Sequence, residues 1–146
     1  MYKRILVPTD GSGPADGAVE HAVNLASTYG AEIHVLYVVD IRSAGQGEWA
    51  LDAEAVFEAG RGHGDAVVNE VADYVRSKDV SVTTAVRTGI PAEEIHDYAD
   101  EEGCDLVVMG THGRTGLDRY LLGSVTEKVV RQSDVPVLTI RTAGSD

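Results

Sequence analysis

The sequence holds a single cysteine, three lysines and no apolar run approaching the ~20 residues of a membrane span. Each shortage excludes something. Cys104 has no partner for an internal disulfide, which fits a reducing cytoplasm. The opening Met1-Tyr2-Lys3-Arg4 leads into a short apolar run that reads as a first strand and lacks the apolar core of a secretory signal. Basic residues are scarce: 12 Lys and Arg face 24 Asp and Glu, a net charge of −12. Nucleic acids and anionic membranes need a cationic footprint, so neither is an expected partner. Abundant acids with few lysines also suit a salt-rich cytoplasm, where screening tames self-repulsion. Catalytic and metal signatures are missing too. His21, His34, His63 and His96 are scattered without metal-ligand spacing. Ser12 and Ser124 lack a recognisable histidine base with an orienting acid.

What remains describes one globular domain. A chain of 146 residues with 43% hydrophobic content is sized for a single core. At this length about 68–70% of the unfolded surface is typically buried. Lys3 to Pro8 reads as a strand apolar on both faces. A helix is expected from near Pro14 to Gly30, with Ala18, Val19, Ala22, Val23, Leu25 and Ala26 inward. Ile33 to Val39 is a second strand, and Asp40 to Glu48 a polar loop. From about Leu51 to Ser77 the pattern is helical, but Gly60, Gly62 and Gly64 interrupt it, each costing about 1 kcal/mol relative to alanine. Either one helix continues with close backbone packing there or two pieces form. Val80 to Arg87 is a third strand, and Ala92 to Glu102 a helix with Ile95, Tyr98 and Ala99 inward. Cys104 to Gly110 and Val135 to Arg141 are the last strands, and Thr142 to Asp146 a frayed tail. Strands alternating with helices imply an α/β, doubly wound domain: a parallel sheet with helices on both faces.

The most informative stretch runs from Asp105 to Val130. Leu106 to Met109 reads as a buried strand that stops at Gly110. Glycines recur at 110, 113, 116 and 123, and Ser124 then opens a helix to Gln132, with Val125, Val129 and Val130 at helical spacing. A strand, a glycine-rich loop and a helix start make an anion site: glycines let the backbone approach, and free helix N–H groups point at the charge. Between Leu106 and Gln132 the charges Arg114, Arg119, Lys128 and Arg131 outnumber Asp118 and Glu127, a local excess of two positive charges. The loop is not a Walker A motif, because Gly123 stands where a lysine would precede Ser124. Nor is it the Gly-x-Gly-x-x-Gly dinucleotide loop.

Gly110-x-x-Gly113, nine residues, then Gly123-Ser124 resembles the nucleotide-binding pattern of the ATP-binding branch of the universal stress protein family. Further similar segments are Ile5 to Ser12, Leu36 to Asp40, Gly89-Ile90-Pro91 and Val135 to Leu138, in the family's order. The likeness covers nearly the whole chain and is weakest from Arg42 to about Gly64. It implies a five-stranded parallel sheet of order 3-2-1-4-5 and a crevice where that order reverses, between strands one and four. It further implies that Asp10 accepts hydrogen bonds from a ribose hydroxyl and that the backbone of Val38 meets an adenine edge. Pro8, Thr9, Met109 and Val125 carry over as contacts, and Gly110, Gly113, Gly123 and Ser124 as phosphate holders. Arg114 is within loop reach of a phosphate. ATP or ADP is the implied ligand, with Mg²⁺ or Mn²⁺ ligated mainly by phosphates and water. A homodimer through the apolar edge strand Val135 to Arg141 is the implied assembly.

Two other readings stay open. One is a slow ATPase or autokinase on the same site, with Ser124 or Thr126 as acceptor; no residue stands out as activating a water. The other is a flavodoxin-like or receiver-type domain, against which Asp10 stands alone after strand one and Arg87-Thr88 follows strand three. His112, inside the loop, is the histidine nearest the expected chemistry.

Overall fold

The computed structural model describes residues 1–11, 17–43, 53–111 and 123–141. Five strands, β1 (Arg4–Pro8), β2 (Glu32–Asp40), β3 (Val82–Gly89), β4 (Leu106–Gly110) and β5 (Val137–Ile140), alternate with four helices, α1 (Gly17–Tyr29), α2 (Ala53–Ser77), α3 (Pro91–Glu102) and α4 (Ser124–Gln132). All ladders are parallel, and the order is β3-β2-β1-β4-β5. The doubly wound expectation holds.

Strand periodicity divides the core into two halves. Ile5, Val7, Ile33, Val35, Leu106 and Val108 point to the face covered by α1 and α2. Leu6, Leu36, Val107 and Met109 point to the face covered by α3 and α4. A central strand buried on both faces has no polar side to show, which is why β1 and β4 read as unbroken apolar runs. Helix α1 buries Ala18, Val19, Ala22, Val23 and Ala26 as expected. It ends at Gly30, whose φ of 69° lets the chain turn and Ala31 N–H reach Ala26 O at 3.0 Å.

The glycine question in α2 resolves as one continuous helix with close backbone packing. A Cβ on Gly64 would lie 2.6 Å from the Tyr37 ring and 3.1 Å from Val86, and one on Gly60 2.8 Å from Val39. These two glycines let the helix settle onto β2 and β3. Gly62 has nothing within 4 Å of that position. Replacing Gly62 by alanine should therefore stabilise the protein by about 0.5–1 kcal/mol through helix propensity. The same change at Gly60 or Gly64 should destabilise it by about 1–3 kcal/mol through overpacking. Urea unfolding of the three variants measures the opposite signs.

Several expected boundaries move. The third strand begins at Val82, because Asp79 adopts a φ of 62° and its N–H closes a turn on Arg76 O. Val80 is buried ahead of the ladder, and the strand runs on through Thr88 and Gly89 beside Val39 and Asp40. Cys104 belongs to the α3 cap, its N–H bonded to Ala99 O, and β4 starts at Leu106. The last strand is Val137–Ile140, shorter than Val135 to Arg141, since the Ser133 hydroxyl engages both the N–H and the C=O of Val135. Val130 is 44% exposed, so the inward stripe of α4 is Thr126 and Val129 with Val125 beside them. Residues 12–16, where the first helix was expected to start, lie outside the described residues, as do 142–146.

Beneath α3 a buried polar group is fully partnered. Tyr98 OH lies 2.7 Å from His34 Nδ1, and His34 Nε2 lies 2.9 Å from Glu32 Oε1. Burial pushes the Cys104 thiol from 9.0 up to about 12 and the Tyr98 phenol from 10.0 up to about 12. Both stay protonated in the folded chain where the unfolded chain has begun to ionise. Their contribution to stability is therefore intact below about pH 9 and lost progressively as pH rises toward about 12. Cys104→Ala should flatten the first part of that decline, read as urea midpoints at about pH 8 and about pH 10.5.

Candidate functional site

At the reversal of strand order the sheet opens. The register between β1 and β4 pairs Ile5 with Leu106 and Leu6 with Val107, although β1 continues to Pro8 and β4 to Gly110. Side chains and loops at the carboxyl ends of these strands thus flank a common crevice, the place where open α/β sheets take ligands. Pro8, Thr9 and Asp10 stand on one lip, all half-buried. Met109, buried, and Gly110, half-buried, stand on the other. Thr9 N–H extends the ladder to Leu36 O at 2.9 Å, and its hydroxyl accepts Gly11 N–H at 3.3 Å. Gly11 turns the chain with a φ of 100°, a conformation that favours glycine.

Register places Val38 meaningfully. Alternate residues of β2 face β1, and the last ladder bond on that side is the one to Leu36. Val38 is the next residue facing that way, past the end of β1. Its N–H and C=O present a donor and an acceptor side by side toward the crevice, the pair that an adenine edge matches. Two residues on, Asp40 is held by Arg42: Oδ2 accepts from Nη2 at 2.7 Å and Oδ1 from Nε at 2.9 Å. These hydrogen bonds hold the Asp40 carboxyl below its ordinary range.

The opposite wall is the start of α4. Gly123, buried, has extended dihedrals of −63° and 157°, and among the described residues no side chain caps the helix. The first intrahelical bond on it is Glu127 N–H to Gly123 O at 2.9 Å. The amides of Ser124, Val125 and Thr126 precede that bond and have no intrahelical acceptor. An anion at such a terminus gains about 0.3–1 kcal/mol from the dipole, and up to ~2 when partly buried. Ser124 is exposed and Val125 half-buried. Gly113, Arg114 and His112 lie outside the described residues.

One feature of this wall was not legible in the motif. The end of β4, the start of α4 and β5 are tied together, because Gly123 N–H donates to Thr111 O at 2.7 Å and Thr111 N–H to Ile140 O at 2.9 Å. Thr126, 4% exposed, donates its hydroxyl to Gly110 O at 2.9 Å. The third residue of α4 therefore fixes the end of β4. Thr126 is thus buried and engaged, and of the two hydroxyls expected as acceptors only that of Ser124 belongs to an exposed residue. Among the described residues no group of three metal-ligating side chains comes together.

Strand order, parallel pairing and a helix start preceded by Gly123 at the switch define a doubly wound α/β protein with a crevice between β1 and β4. The chain belongs to the universal stress protein family, whose model matches residues 1–141. The universal stress protein MJ0531 of Methanocaldococcus jannaschii is 38% identical over 145 residues, covering 97% of this chain and 83% of the relative. The solved structure of MJ0577, from the same organism, superposes with a TM-score of 0.87 at 32% identity over 99% of each chain. Two more distant neighbours share the fold at TM-scores of 0.69 and 0.68: a universal stress protein solved with cAMP, 24% identical over 97% of this chain and 98% of its own, and one from Archaeoglobus fulgidus solved with dAMP, 22% identical over 95% and 98%.

Proposed function

We propose that this protein binds ATP or ADP in the β1–β4 crevice and acts through nucleotide occupancy as a regulatory stress protein. The observation that carries the reading is the start of α4, which no described side chain caps, with Gly110 and Gly123 beside it and Asp10 following the neighbouring strand β1. Amides of Gly123 to Val125 hold the phosphates, and Gly113 and Arg114 in the loop complete the cradle. Asp10 takes the ribose, the Val38 backbone the adenine edge, with Pro8, Thr9 and Met109 packing around the nucleoside. The same fold accommodates cAMP in one universal stress protein and dAMP in another, so it is compatible with an adenine nucleotide.

The donors at the start of α4 suit a triphosphate, and among the described residues no three side chains form a cage for a metal. Mg²⁺ or Mn²⁺ enters with the nucleotide, held by phosphates and water, and neutralises phosphate charge that an acidic protein would otherwise repel. The working unit is a homodimer that pairs the edge strand β5 with its copy, and the setting is a salt-rich cytoplasm. Among the described residues none stands ready to activate a water, in keeping with slow turnover at most.

Thermal unfolding in high salt tests the ligand. Mg-ATP at a hundred times its dissociation constant adds about 2.7 kcal/mol, or roughly 5–10 °C for a chain of this size. GTP and FMN at the same concentration should shift it by less. A shift for FMN alone would support the flavodoxin-like reading instead, and no shift for any of them would end the nucleotide reading.

A further inference from the structure

Away from the crevice, a cavity of about 180 Å³ lies between α3 and α4. It opens at the amino ends of β4 and β5, the end of the sheet opposite Pro8 and Gly110. Its floor is apolar and buried: Ile95, Ala99, Cys104, Val107 and Val129. The Cys104 thiol, which burial keeps protonated up to about pH 12, behaves there as a small hydrophobe. An apolar cavity of about 150 Å³ holds a benzene-sized guest, so this one admits a single ring and a short substituent.

The rim has a charge of its own. Asp100, Asp134 and His96 stand around the mouth with Gln132 and Ser133. His96 Nε2 lies 3.3 Å from Asp134 Oδ2, and its Nδ1 3.7 Å from Asp97. Asp100 is exposed, and its side chain makes no hydrogen bond or ion pair among the described residues. Carboxylates therefore outnumber the one ring that can offset them, and among the described residues no lysine or arginine lines the cavity. An apolar floor under an acidic mouth is complementary to a hydrocarbon body bearing a positive head.

We propose that the α3–α4 cavity binds small ammonium ions with a one-ring or branched-alkyl body, the body on the Ile95–Val129 floor and the cation at Asp100. An anion of the same shape meets repulsion at the rim, and a neutral analogue gains only the floor. The site is separate from the nucleotide crevice and does not depend on it.

Benzylammonium, benzyl alcohol and benzoate are the probes, titrated into ¹⁵N-labelled protein at low salt. Benzylammonium should bind with a dissociation constant of about 1 mM or tighter, moving the amides of Ala99, Gly103 and Gln132. It should bind about five- to tenfold more tightly than benzyl alcohol, and the margin should shrink with added NaCl. Ala99→Leu, which fills the cavity, should abolish binding. Asp100→Asn, an exposed change that does not threaten the fold, should leave benzyl alcohol unchanged and erase the preference for the amine. Equal affinity for amine and alcohol, shifts scattered over the surface, no binding at several millimolar, or binding untouched by Ala99→Leu would each overturn the proposal.

Discussion

Thr126→Val should weaken Mg-ATP binding about tenfold, equivalent to 1.4 kcal/mol, and lower the melting temperature of the nucleotide-free protein by a few degrees. Valine has the shape of threonine and no hydroxyl. The bond it removes, Thr126 Oγ1 to Gly110 O at 2.9 Å, is largely buried and joins the end of β4 to the first turn of α4. Such a bond contributes about 0.5–1.5 kcal/mol net, and leaving the buried acceptor unpaired raises the loss toward about 1–3 kcal/mol. At this chain length each kcal/mol corresponds to about 2–4 °C. The effect on binding has a separate origin. In the proposed site Gly110 and the amides after Gly123 would approach one ligand from two elements, and the threonine joins those elements. Thr126→Ser keeps the hydroxyl and should restore both properties. Calorimetric titration of the three proteins decides: wild-type affinity in the valine variant would mean that the backbone clamp of Thr111 and Gly123 holds the spacing alone.

Proline scanning of β5 should separate association from folding. The ladder with β4 runs from Val107 N–H bonded to Pro136 O up to Thr111 N–H bonded to Ile140 O. By alternation, the N–H groups of Leu138 and Ile140 face β4 and those of Val137 and Thr139 face outward. Thr139→Pro deletes an outward donor, which an edge strand tolerates. It should leave a folded monomer, whereas the proposed β5 pairing predicts that the wild type sediments as a dimer. Leu138→Pro deletes an inward donor from a half-buried position and should cost about 3 kcal/mol or more, enough to leave little native protein in a marginally stable domain. Analytical ultracentrifugation with circular dichroism reads both. A Thr139→Pro protein that remains dimeric would place the interface elsewhere. The short edge makes this sharp: four residues offer few outward groups, so one deletion is a large share of the pairing.

How much of this was legible in the chain depends on the range of the interaction involved. Local signals carried the elements. The apolar runs at Ile5 to Val7 and Leu106 to Met109 announced strands buried on two faces, and Pro91 and Gly103 bracketed α3. Strand order came from family resemblance rather than from residue pattern, since several right-handed arrangements satisfy the same alternation. Errors arose where an apolar residue serves as an anchor outside regular structure: Val80 is buried after a left-handed turn at Asp79, and Val135 is tied to Ser133. Gly60 and Gly64 left one helix or two undecided, because the partners that make small residues necessary, Val39, Tyr37 and Val86, sit on other elements. Within the site, Gly110, Gly123 and Ser124 stood out through spacing. Thr126 gave no such sign of its structural role, since its bond to Gly110 joins residues 16 apart in sequence. Which way the Val38 backbone faces past the end of β1 followed only from the register.

Amide chemical shifts during a titration with Mg-ATP address the central matter most directly: whether backbone N–H groups at the entrance to α4 take up phosphate. Hydrogen bonding to an anion should move Gly123, Ser124 and Val125 farthest, with Gly110 and Val38 following and the α3–α4 cavity residues unmoved. Saturation with those helix-start amides unchanged, or with the large shifts confined to another face of the sheet, would contradict the account.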